Sequence, residues 1–348
     1  MPTLSQTTKE TKLIARWGII SLVLILILFF GIKIAGFIKE ALFPTPPAPP
    51  TVSFGKLTPI TFPENKSIKS FSYSVDTVTG KLPNFPDRAK VFKMVKKKSD
   101  LLAFQRTKEK AQKLGFTKDP IMLSETTYKW SDESKLQRIL NLNTVSMELS
   151  LDSNFYNDEQ ILLGKNLPTE EEARKISEDF LNEVSMLPED IDLEKTKTTL
   201  FTLKNYALIP ATSYAESRVI QVNFFQKNID EKPVFYKSPY TPNISVYITG
   251  GERNKEVAKA NYFYQEISNE SATYPIKTAK EALEELKNGK GYFVQIPLDK
   301  QEINIKEVIL GYYLEDKNQD YLMPIIIFKG DNEFYAYVSA VRDEWLNN

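Results

Sequence analysis

The chain has 348 residues, 42% of them hydrophobic and 26% charged, and its 45 basic and 45 acidic side chains cancel. It contains neither cysteine nor histidine. The first absence excludes disulfides, thiolate metal sites, Fe–S clusters and thiol nucleophiles; the second removes the commonest general base, the Ser-His-Asp triad and imidazole-bound metals.

Near the N-terminus, Trp17–Ile32 (WGIISLVLILILFFGI) runs for 16 positions without a charge. About 20 apolar residues cross a hydrocarbon layer ~30 Å thick, and widening the run to 13–38 admits only Arg16 and Lys33. A transmembrane helix is therefore expected over 13–38, with Trp17 at the interface and Leu22, Leu24, Leu26, Leu28, Phe29 and Phe30 among its anchoring residues. A cleaved signal peptide would have a shorter apolar core and a small-x-small site, whereas Phe, Ile and Lys follow here. Lys9, Lys12 and Arg16 precede the run, against Lys33 and Lys39 after it. That bias predicts a short cytoplasmic N-terminus over 1–12 and a body outside the cytoplasm. Membrane lipid is thus the first expected partner.

Seven prolines between Pro44 and Pro63 hold the chain extended, so 39–68 is read as a Pro-rich linker. A ligand for SH3-type modules is the alternative, but such modules are not expected outside a bacterial cell. Residues 51–348 carry 40 basic and 43 acidic side chains, which gives no basic excess for nucleic acid. The one basic run, Lys90–Lys98 (KVFKMVKKK), alternates as a surface strand with solvated lysines; a polyanion site is the sharper alternative.

Three amphipathic helices follow. Ser99–Leu114 has Ser99 or Asp100 as N-cap and Gly115 as its stop. Pro168–Val184 carries Thr169 and Glu172 at capping-box spacing, with a stripe of Ala173, Ile176, Phe180 and Val184. Ile276–Asn288 has Ala279, Ala282, Leu283 and Leu286 on one face and Gly289 at its end. Between them the period falls to two over Tyr73–Val78, Met122–Trp130, Leu136–Leu151, Thr198–Leu208, Arg218–Gln226, Asn243–Thr249, Val257–Ile267, Ile303–Leu314, Tyr321–Phe328 and Glu333–Val338. The fold class expected is α+β, as tandem modules of a helix and an antiparallel meander over 69–165, 166–270 and 271–348.

Motifs for chemistry are sparse. Asp316-Lys-Asn318-Gln-Asp320 opens like a calcium loop but then offers Tyr321 and Ile327 where Gly and Glu are needed, so it reads as a hairpin turn. Gly250-Gly251 and Gly289-Lys-Gly291 lack phosphate-loop spacing. The acids Glu170–Glu172, Glu281, Glu284 and Glu285 lie on solvated helix faces. Tyr292, Tyr312, Tyr313, Tyr321, Tyr335 and Tyr337 crowd the C-terminal third and fit a half-buried sheet face, although aromatics also grip sugars and anchor interfaces. No catalytic residue, metal ligand or cofactor is expected.

The ordered segments Arg218–Gln226 (RVIQVNFFQ), Pro233-Val234, Asn243–Ile248, Val257–Glu266, the helix Ile276–Asn288, Leu310–Tyr313, Leu322–Ile325 and Tyr335–Ala340 resemble the YycI-type regulatory proteins of low-GC bacteria, and also PepSY-type modules. The resemblance covers roughly 200–340. It implies an anchored extracytoplasmic α+β body that associates with a membrane histidine kinase and has no enzymatic role. The proline linker and the module before residue 160 depart from it. The expected function is a single-pass binding or regulatory protein of a bacterial envelope, with another envelope or membrane protein as its partner and no nucleic acid. A carbohydrate-binding protein or carboxylate-dependent glycan hydrolase, and a passive assembly scaffold, are the alternatives.

Overall fold

Alternating apolar and polar side chains build most of this protein. The computed structural model describes residues 49–65, 71–251, 256–297 and 302–347, together with Trp17, Ser21, Leu22, Leu26, Leu28–Gly31 and Lys33. The chain divides into two compact units, Met1–Pro49 and Pro50–Asn348. In the first, the described residues up to Lys33 are helical, and Trp17, Leu22, Leu26, Leu28, Phe29 and Phe30 all expose their side chains. Leu24 and most of the span expected over 13–38 lie outside the described residues. Among those described, no helix is long and apolar enough to cross a membrane.

The second unit holds the strands β1 (Ser72–Val75), β2 (Arg88–Met94), β3 (Ile121–Met122), β4 (Thr127–Ser131), β5 (Ile139–Asn143) and β6 (Leu149–Asp152). There follow β7 (Lys197–Lys204), β8 (Ala207–Pro210), β9 (Val219–Phe224), β10 (Val234–Phe235), β11 (Ile244–Thr249) and β12 (Glu256–Tyr262). Then come β13 (Ile267–Pro275), β14 (Tyr292–Gln295), β15 (Glu302–Tyr313), β16 (Tyr321–Gly330) and β17 (Tyr335–Ser339). The helices longer than one turn are α1 (Ala103–Lys113), α2 (Glu170–Glu183) and α3 (Ala279–Lys287). Each falls inside an expected helix.

The capping box anticipated at Thr169 forms, with the Glu172 amide on the Thr169 hydroxyl and the Glu172 carboxylate accepting from the Thr169 amide at 2.9 Å. Thr278 and Glu281 build a second one at the start of α3. Helix α1 starts later than Ser99 or Asp100 would place it. Asp100 instead accepts from the Leu102 amide at 2.8 Å, and Leu102 stands at the N-cap. Gly115 and Gly289 take positive φ just beyond α1 and α3, the conformation that ends a helix at least steric cost.

The strands form two sheets, one of nine strands in the order β3-β4-β5-β6-β12-β11-β9-β7-β8 and one of eight built on β1-β15-β16-β17-β14. In the eight-stranded sheet β2 bridges β13 and β16, while β1 and β10 lie parallel to β15. The mixed α+β class holds, with far more sheet than helix. The three expected modules do not map onto these sheets. Strands from either side of 165/166 share the nine-stranded sheet, β1 and β2 leave the first module for the eight-stranded one, and β13 runs through the 270/271 boundary. The period-2 pattern marks a strand but carries no record of its partner.

Helices α1 and α2 cover one face of the nine-stranded sheet, where Phe180, Leu181 and Val184 pack among Leu140, Leu149, Val222 and Val246. Helix α3 covers the other sheet through Ala282, Leu283 and Leu286 against Phe293, Phe328 and Val338. The opposite face of that second sheet is covered by residues 50–65. The linker expected over 39–68 is therefore corrected for this stretch. Leu57 is fully buried beside Tyr274 and Met323, and its N–H and C=O pair with Trp345 and Asn347 at 2.8 Å each. Phe62 packs on Tyr292 and Tyr313 with ring centroids 5.7 and 5.0 Å away. Apolar residues spaced between prolines suit an extended strap laid on a sheet as well as they suit a spacer.

Candidate functional site

On the nine-stranded sheet the face turned away from the helices carries an unbroken polar row. Lys129, Asn141, Ser150, Asn261, Ser245, Asn223 and Lys197 stand opposite one another on seven consecutive strands. Asn141, Ser150, Asn261, Ser245 and Asn223 are each flanked in sequence by two residues of the helix-covered core, so period 2 points them to the other side. A neighbouring row runs Asp152, Lys259, Tyr247 and Gln221, with Lys259 paired to Asp152 at 3.0 Å and Gln221 donating to the Tyr247 hydroxyl at 2.9 Å.

The first row stays largely unpaired. Ser150, Asn261 and Ser245 make no side-chain hydrogen bond among the described residues, although Ser245 is only 1% exposed. The Oδ1 atoms of Asn141 and Asn223 are buried without a partner. Buried polar groups normally find partners, because leaving one unmade costs about 1–3 kcal/mol.

Ser150, Asn261 and Ser245 line a cleft of about 930 Å³, near the upper end of ordinary ligand sites. Its other wall comes from β14, the strap end Pro63–Asn65 and the loop that carries Lys237. Among the described residues strand β14 is the last strand of its sheet and pairs only with β17. On its outer side Asn65 donates to the Gly291 carbonyl at 2.9 Å and accepts from the Phe293 amide at 2.9 Å. Lys237 pairs with Asp316 at 3.1 Å and its carbonyl accepts from the Tyr292 hydroxyl at 3.2 Å. Glu64 and Glu148, both exposed, have no ion-pair partner among the described residues.

The residues weighed in the sequence fall mostly elsewhere. Lys90, Lys93 and Lys96 pair with Asp230, Glu270 and Asp320 at 2.7, 3.2 and 2.6 Å; the run is surface strand as far as Met94, and Lys96–Lys98 lie beyond its end. Burial pushes the Asp230 carboxyl up, but hydrogen bonds from Lys232 and Lys90 outweigh it and hold it below the usual range. Residues 316–320 connect β15 to β16, where Gln319 exchanges hydrogen bonds with Gln265. Among the described residues no group of three acids could hold a metal ion. Of the six tyrosines, Tyr292 alone lines the cleft; Tyr312, Tyr313 and Tyr337 are core. Gly250 lies against the backbone of 165–167, with Asn166 Nδ2 on the Gly251 carbonyl at 2.7 Å. Close approach, more than the expected turn, explains that glycine.

No family model matches the chain, and no curated protein does. Eight chains of solved structures match in a structural comparison. An uncharacterized protein from Eubacterium rectale is 13% identical, with 74% of this chain and 84% of that one covered and a TM-score of 0.41. The C-terminal domain of YpeB from Bacillus megaterium is 12% identical, with 71% and 95% covered and a TM-score of 0.33.

Proposed function

We propose that the chain is a single-pass, membrane-anchored binding protein of a bacterial envelope, its body outside the cytoplasm and its ligand held in the cleft between the two sheets. One observation carries the binding role: Ser150, Asn261 and Ser245 present hydrogen-bonding groups, unused among the described residues, in a row along one wall of a concave site. A protein that spends sheet positions this way gains nothing in stability, so the gain lies in what fills the cleft. The uncharged run Trp17–Ile32 supports the anchor. The resemblance of 200–340 to YycI-type proteins extends the reading to modulation of a membrane sensor kinase, with the bound partner biasing the signal.

The test is in-cell crosslinking of the full chain beside its Asn261→Tyr variant, which fills the cleft from a half-exposed strand position. Loss of a crosslinked partner in the variant is expected; an unchanged partner profile refutes the cleft as the site. Because the chain lacks cysteine, Val78→Cys at a fully exposed position reports the side of the membrane. Labelling by an impermeant maleimide in intact cells is expected, and labelling only after lysis places the body inside.

A further inference from the structure

Resting on the reading of the cleft as the binding site, we propose that its occupant is an extended peptide segment with a basic side chain, added as a strand to the outer edge of β14. Three independent features of the cleft point to this chemistry.

The first is the edge itself. The Asn65 carboxamide gives β14 a donor and an acceptor, the same pair that a peptide group offers, through one N–H to Gly291 O and Oδ1 from Phe293 N. The edge is thus already arranged to bind an amide. The Phe293 amide points outward to Asn65, and just beyond it a bulge between Phe293 and Gln295 loosens the pairing with β17. Val294 and Gln295, with Ile296 just past the strand end, continue along the cleft, and among the described residues no strand pairs with them on that side. Main-chain hydrogen bonds to such an edge supply affinity in strand addition, and side-chain sites supply specificity.

The second is the facing wall. Strands β6, β12 and β11 bring Ser150, Asn261 and Ser245 into line at the strand spacing of about 4.8 Å, each with spare hydrogen-bonding capacity. An extended peptide projects alternate side chains and carbonyls to one side, and a row of short hydroxyls and an amide suits both. A glycan would ask for a broad open aromatic face; of the lining rings Tyr292, Phe293 and Tyr262 are under 10% exposed and Phe263 alone is half-exposed.

The third is charge. Lys237 is neutralised by Asp316, which leaves Glu64 and Glu148 as the unpaired charges among the described lining residues. Two free carboxylates at the rim favour Lys or Arg in the partner and raise the association rate more than the final affinity.

The experiment pans a library of random dodecapeptides on phage against the full chain in detergent micelles, followed by titration of the enriched peptides. Enrichment of Lys- or Arg-bearing sequences is expected, with Kd weakened roughly tenfold in Glu64→Gln/Glu148→Gln. N-methylation at alternate peptide positions should abolish binding, as the main-chain hydrogen bonds require. Enriched peptides that keep full affinity when N-methylated, or that ignore the double variant, overturn the proposal. So does binding of wall glycan chains, lost in Asn261→Tyr, without any peptide enrichment; the cleft would then stand as a binding site and the peptide would not. If Asn261→Tyr leaves the in-cell partner unchanged, the cleft itself is the failure.

Discussion

Replacing Leu57 with alanine asks whether residues 50–65 belong to the folded body. Leu57 is fully buried against Val91, Ala272, Tyr274, Met323 and Val341. Truncating such a leucine loses the transfer energy of the removed methyl groups and leaves a cavity, about 3–5 kcal/mol together. The strap is a single segment and can settle inward, so the lower end, about 3 kcal/mol, is expected. In a body of about 300 residues the unfolding entropy makes that a fall of roughly 5 °C in Tm. Urea unfolding measures it directly, and trypsin cleavage after the exposed Lys56 reports the strap alone. Thr58→Ala is the control, since Thr58 is exposed and offers one hydrogen bond to Asp320 at 3.1 Å; a change under about 1 kcal/mol is expected there. If Leu57→Ala costs no more than the control and Lys56 is cut as fast as in a free chain, the strap is a linker after all.

Two other perturbations follow from local geometry. Gly250→Ala would set a Cβ 2.1 Å from the Lys165 carbonyl and 2.6 Å from the Leu167 amide; since both are backbone, a loss of about 2 kcal/mol or more is expected in thermal unfolding, and an unchanged Tm would show that 165–167 yields freely. Glu315 is buried and its carboxyl is raised above its ordinary 4.5, chiefly by that burial, although the Thr61 amide donates to it at 3.0 Å. A carboxyl with a raised folded pKa binds its proton more tightly when folded, so its contribution is whole below pH 4.5 and is lost as pH rises through the folded value. Glu315→Gln keeps an acceptor for Thr61, and its stability relative to the native chain should therefore improve from pH 4 to pH 8 in parallel urea titrations. A flat difference over that range would refute the burial argument.

What the sequence made legible was local. The capping box at Thr169, the stops at Gly115 and Gly289, and nearly every strand could be read from side-chain period and turn chemistry, because each depends on neighbours within about four residues. Pairing depends on residues a hundred apart, which is why β1 and β2 could not be assigned away from the strands that follow them. The cleft was hidden for the same reason. Ser150, Asn261 and Ser245 each sit in a strand whose other face is core, and singly each reads as an ordinary solvent-facing position. Only the register, Ser150 beside Asn261 beside Ser245, turns three scattered polar residues into one wall. Asn65 was masked differently: surrounded by prolines and read as linker, it gave no sign that its carboxamide stands in for a strand. A sequence pattern that could have pointed there is a short apolar strand interrupted at its centre by Ser or Asn, recurring in LSLD, ANY and ISV. Where several such strands share a sheet, the interruptions align or they do not, and alignment across adjacent strands is what separates a recognition surface from a merely wet one.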